Sequence, residues 1–106
     1  MRRYERNFTD VALSFTVNPG VAFQIEELRV HLDAPGAADD LTVTVTSGAG
    51  AQYNCVLFAQ AMAGVSDLHW MPVKPINLVA GDGITISWQN AGGVGVGTEL
   101  VFSRIP

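Results

Sequence analysis

The sequence predicts an all-β chain folded as an antiparallel β-sandwich of about eight strands. Apolar residues recur with a period of two in one segment after another, as a half-buried strand requires. Gly, Pro, Asn and Asp interrupt those segments at the spacing usual for sandwiches and barrels, with 11 Gly and 5 Pro in all. The best helix candidate, the Ala-rich patch from Phe58 to Gly64, is short and ends in Gly.

The elements follow in order. Val11, Leu13, Phe15 and Val17 alternate with small or polar residues until Asn18-Pro19-Gly20 stops the strand. In the next run Phe23 and Ile25 share one parity, and Leu28, Val30 and Leu32 share the other. That switch at Glu26-Glu27 predicts a bulge or a bend between sheets. Leu41, Val43 and Val45 alternate with Thr42, Thr44 and Thr46, the clearest strand in the chain. Residues 52–58 are apolar on both parities toward their end and are expected to lie under other structure. Leu68 and Trp70 share a face opposite Asp67 and His69. Ile76 and Leu78 pair through Ala80-Gly81-Asp82-Gly83 with Ile84, Ile86 and Trp88, Asp-Gly being a strong tight-turn dipeptide. Residues 90–97 read as a flexible Gly-rich loop or a bulged strand, and residues 99–105 as the last strand. Eight such strands in two sheets suit a jelly roll, with an immunoglobulin-like sandwich as the alternative order.

The chain has 106 residues, enough for one core without disulfides or metals. Hydrophobic residues make up 48% and charged residues 15%, which excludes a disordered chain. The net charge of −4 is unevenly placed: Arg2, Arg3 and Arg6 precede a body of nine acids and three bases from Asn7 onward. The division expected is a basic N-terminal arm over residues 1–8 and a single sandwich domain over residues 9–106. An acidic body repels phosphates, so no nucleic-acid partner is expected. No run is long enough for a membrane helix and no apolar run follows the first arginines, so neither a membrane partner nor a secretory signal is expected.

Catalytic residues, cofactors and resident metals are not expected. His31 and His69 occupy outward strand positions outside any nucleophile motif. The single cysteine, Cys55, lies in an apolar stretch and reads as a small buried hydrophobe. One cysteine and two separated histidines give no zinc spacing. Asp39 and Asp40, with Asp33 nearby, form the one loop where calcium could sit, against the plainer reading that they begin a strand. The glycines of residues 92–97 lack the Lys-Ser or Lys-Thr of a phosphate loop. Trp70 and Trp88 share parity with core residues, which favours packing over sugar stacking.

Residues 21–32, read as Phe-x-Ile-x-Glu-x-Arg-x-His-Leu from Phe23, resemble a strand of small jelly-roll proteins of tailed bacteriophages and prophages. Leu41-Thr42-Val43-Thr44, the Val65 to Trp70 segment and the Ile76, Leu78 and Ala80-Gly81-Asp82 positions extend the resemblance over most of the chain from Val11. It implies a non-enzymatic virion structural protein: a capsid decoration or cement protein, made in the bacterial cytoplasm and placed on the capsid surface. The partner implied is the major capsid protein or another virion protein, with a homo-oligomer, a trimer first, sitting over capsomer joints. Arg2, Arg3, Tyr4 and Arg6 are the expected partner-binding residues. The alternatives are a carbohydrate- or receptor-binding module of the tail-fibre type and another head–tail component.

Overall fold

The segments with period-two patterning pair into two antiparallel sheets, and one further strand joins them that the pattern does not announce. The computed structural model describes residues 2–105. Its strands are β1 (Arg2–Thr9), β2 (Leu13–Val17), β3 (Phe23–Leu32), β4 (Asp40–Thr46), β5 (Cys55–Ala61), β6 (Asp67–Trp70), β7 (Ile76–Leu78), β8 (Gly83–Trp88) and β9 (Val96–Arg104). One sheet has the order β1-β9-β3-β6, with β7 on the remaining length of β3, and the other has the order β2-β8-β4-β5.

β6 pairs with Leu28 to His31 and β7 with Phe23 to Ile25, so the two share one strand position beside β3. Counted so, there are eight positions, and the first pairs with the last, the second with the seventh, the third with the sixth and the fourth with the fifth. A long hairpin rolled into two facing sheets has this order, which is that of a jelly roll.

The core lies between the sheets. Phe23, Ile25, Leu28, Val30 and Leu32 of β3 meet Leu41 and Val43 of β4, Ile84, Ile86 and Trp88 of β8, and Val96, Leu100 and Phe102 of β9. The Phe23 and Phe102 rings pack edge to face at 5.6 Å. The parity switch in β3 is a bulge: its pairing with β9 shifts between Ile25 and Glu27. Without the extra residue, Leu28, Val30 and Leu32 would face water. Trp88 is buried and its indole N–H donates to the Ala38 carbonyl (3.3 Å). Trp70 is half-buried and stacks on Phe58 at 4.9 Å, closing the gap between the edge strands β6 and β5.

Several expectations change. Residues 2–9, read mostly as an arm ahead of the domain, form β1 and pair with β9 from Arg2–Ser103 to Thr9–Val96, so a boundary at residue 8 falls inside a strand. The Phe58 to Gly64 patch is not helical, because β5 runs through it to Ala61. A short 3₁₀ turn stands instead at Ala51–Tyr53. Cys55 is exposed rather than buried. It opens an edge strand in which Leu57 and Phe58 are the residues packed on the core. β9 begins at Val96, inside the stretch read as a loop or a bulged strand.

Two loop residues hold the ends of the sandwich. Gly81 (φ 96°) supplies the left-handed position of the Val79–Asp82 turn, and Asp82 then accepts from the Gly48 amide at 3.1 Å. Asn90 is buried with φ 51° and binds three backbone groups: its amide donates to the Val11 and Val94 carbonyls (2.9 Å each), and its carbonyl accepts from the Val94 amide (3.1 Å).

Phe102→Ala is expected to cost about 3–5 kcal/mol through the cavity it leaves. Val56→Ala, on the exposed edge, is expected to stay within about 0.5 kcal/mol. Urea midpoints at constant m-value measure both. Asn90→Ala leaves buried backbone groups unpaired and should cost about 1–3 kcal/mol on the same scale.

Candidate functional site

β1 carries the residues expected to bind a partner, and its register with β9 assigns each a side. Arg3, Glu5, Asn7 and Thr9 stand opposite Phe102, Leu100, Thr98 and Val96, on the parity that faces the interior. Arg2, Tyr4, Arg6 and Phe8 stand opposite Ser103, Val101, Glu99 and Gly97, on the outer parity. Three of the four expected residues therefore share one row, and Phe8, 68% exposed, joins them. Arg3 belongs to the other side: it pairs with Glu5 at 3.4 Å and lies 5.4 Å from the centre of the Phe102 ring. The row alternates base and aromatic, with the Arg6 guanidinium 5.9 Å from the Tyr4 ring centre. Phe8 stands outside the expected set; the alternation Arg2, Tyr4, Arg6, Phe8 is the pattern in the sequence that marks it.

Behind the row the outer face of the sheet carries a chain of ion pairs across β1, β9, β3 and β6, four of its five strands. Arg6 of β1 binds Glu99 of β9. Glu99 also accepts from Arg29 of β3 (2.6 Å), Arg29 donates to Glu27 (2.6 Å), and His69 of β6 donates to Glu27 (2.5 Å). One row further, His31 of β3 donates to Asp67 of β6 (2.6 Å). The hydrogen bond from His69 holds the Glu27 carboxyl below the usual carboxylate range, helped by the Arg29 charge against the cost of desolvation. The bond to Asp67, and then its charge, raises the His31 pKa above the ordinary imidazole value. Val101, buried yet outside the core cluster, stands opposite Tyr4 and Glu27 on this same face.

The opposite sheet presents hydroxyls instead. Thr85 bonds to Thr16 (3.0 Å) and to Thr46 (3.1 Å), and Thr42 bonds to Ser87 (3.0 Å).

His31, Asp67 and His69 line a shallow depression with Arg29, Val30, Leu68 and Gly97, a set without Ser, Thr or Cys to serve as a nucleophile beside the His–Asp pair. Cys55 lies on the other sheet. Among the described residues no group of three or more His, Cys, Asp or Glu side chains is placed to hold a metal ion. At the loop where calcium was considered, Asp40 begins β4 and Asp39 takes a positive φ of 82° while its carbonyl accepts from Met62. The Asp33 carboxylate lies where a side chain at Gly95 would be, so a larger residue there would have to displace it. No helix among the described residues is long and apolar enough to cross a membrane.

Fold and surface together define a jelly-roll sandwich with one ion-paired outer face and a basic–aromatic edge row. No family model and no curated protein matches the chain. Among solved structures it is similar to a chain in the structure of infectious bursal disease virus Gx strain, at 12% identity and a TM-score of 0.34. The similarity covers 98% of this chain and 32% of that one, so this chain spans about a third of that neighbour's length.

A double-mutant cycle on Arg6→Ala and Glu99→Ala is expected to return a coupling of about 0.2–1 kcal/mol at low salt. The coupling should shrink in about 1 M NaCl, where the Debye length falls to about 3 Å.

Proposed function

We propose that the protein is a non-enzymatic structural protein of a virus particle, and within that class a decoration or cement protein of a tailed-phage capsid. The observation that carries this reading is the exposed row Arg2, Tyr4, Arg6 and Phe8 on an edge strand. A chain of net charge −4 that gathers two arginines and two aromatics on one strand offers a docking strip for an acidic, partly apolar protein surface. Aromatic and arginine side chains are the groups that most often anchor protein interfaces. The jelly-roll strand order supports the reading as a frame common in capsid proteins, although lectins and cupins share it. The phage-like pattern from Phe23 to Leu32 supports the tailed-phage assignment. In this reading the partner is the major capsid protein, and copies of the chain sit over capsomer joints as trimers.

Sedimentation with undecorated heads of the phage that carries the gene tests the proposal. Wild-type protein is expected to pellet with the heads, and the Arg2→Glu, Arg6→Glu double variant to lose at least about tenfold in affinity, the equivalent of 1.4 kcal/mol. The variant keeps the core and gives up the Arg6–Glu99 pair, so its urea midpoint should fall only by the equivalent of about 1 kcal/mol. Equal retention of both proteins would remove the row from the mechanism. A gene outside any phage or prophage genome would overturn the assignment.

A further inference from the structure

β6 is four residues long and is the outermost strand of its sheet on the side away from β1. None of its side chains is fully buried: Leu68 and Trp70 are half-buried, and Asp67 and His69 are exposed. So short a strand gains little from its ladder, and edge strands with little burial open at low cost. What distinguishes β6 is that both of its outward side chains bind β3 through a histidine–carboxylate pair. Asp67 takes the His31 ring N–H at 2.6 Å, and His69 donates to Glu27 at 2.5 Å. The two pairs have opposite polarity, because β6 supplies the acid in one and the base in the other. Each is nonetheless strongest when its histidine is protonated, and histidine is the side chain that changes charge near neutral pH.

We propose that β6 is a pH-responsive flap, held on β3 by the His31–Asp67 and His69–Glu27 pairs in mildly acidic solution and loosened as the pH rises toward about 8. The other charged groups that face these pairs favour the same direction. Glu27 and Glu99 flank Arg29 on the same face, and Asp33 adds negative charge near His31. Arg29, on the same strand as Glu27, pairs with it independently of β6.

The direction of the pKa shifts fixes the window. The His31 pKa is raised in the folded chain, so its contribution is complete below the ordinary value near 6.5 and is lost as pH rises through the raised one. The Glu27 pKa is lowered, so its contribution is present above the ordinary carboxylate value and is lost only as pH falls through the lowered one. Attachment of β6 is therefore greatest at about pH 5–6. Release would uncover the edge of β3 from Leu28 to His31 and separate Trp70 from Phe58.

Amide hydrogen exchange of the whole chain, corrected for intrinsic rates, tests this at about pH 5.5 and about pH 8. Protection factors of the β6 amides are expected to fall about twofold to fivefold across that range, the size of exposed ion pairs. Those of the β8 amides should not follow. In the His31→Gln, His69→Gln double variant, and separately in Asp67→Asn, the β6 dependence should shrink. Both sets of changes lie on the exposed face and leave the core intact. Constant β6 protection, an equal fall in β8, or an unchanged slope in the variants would each overturn the proposal.

Discussion

The antiparallel pairing of β3 with β9 joins the first third of the chain to its end, from Phe23–Arg104 to Leu32–Val96, and the rest of the sheet hangs on it. β1 attaches to the free side of β9, and β6 and β7 divide the free side of β3. The inward residues of this pair also form half of the core against β4 and β8. One residue of irregularity at Glu26 makes the arrangement work. It keeps Phe23 and Ile25 inward at one end and Leu28, Val30 and Leu32 inward at the other, while Glu27 and Arg29 stay on the outer face where the ion pairs form. The bulge therefore serves both the packing and the electrostatics of the sheet.

What could be read from the sequence follows from where each signal originates. β4 and β8 lie inside their sheet, so their alternation of aliphatic and hydroxyl residues is imposed on both faces and is plain in the sequence. β1 carries no such mark, because its inward parity is Arg3, Glu5, Asn7 and Thr9. Its extended shape comes from the free edge of β9 rather than from its own side chains. Cys55 misleads for the converse reason: apolar neighbours suggest burial, but at a sheet edge such neighbours can remain in water. The candidate site is divided in the same way. The basic character of Arg2, Arg3 and Arg6 is evident in the sequence, whereas the assignment of Arg3 to the opposite side needs the strand register. The pairs Arg6–Glu99 and Arg29–Glu99 join residues 93 and 70 positions apart, and no local pattern encodes a contact at that separation.

The two outer faces solve the problem of an exposed sheet differently. On one, charges of opposite sign are placed in rows across strands, and charged side chains on β1 also discourage uncontrolled pairing at that edge. On the other, threonine and serine hydroxyls bond to one another from strand to strand. β5, at the edge of the hydroxyl-bearing sheet, has no charged residue, and its pairing with β4 is interrupted by a register shift between Val43 and Thr44. An irregular edge is a poorer template for a neighbouring strand than a regular one. A surface so arranged leaves the basic–aromatic row of Arg2, Tyr4, Arg6 and Phe8 as the place where exposed aromatic and cationic side chains alternate along one edge.

The placement of the two tryptophans gives the molecule two optical reporters of different reach. Trp88 is sealed between the sheets with its indole N–H bonded to Ala38, so its emission changes only when the sandwich itself comes apart. Trp70 rides on a short edge strand against the Phe58 ring, so its emission follows the local environment of that strand. Replacing either one with phenylalanine separates the signals. Intrinsic fluorescence can then distinguish fraying at one margin of the domain from loss of the whole fold, without any attached label.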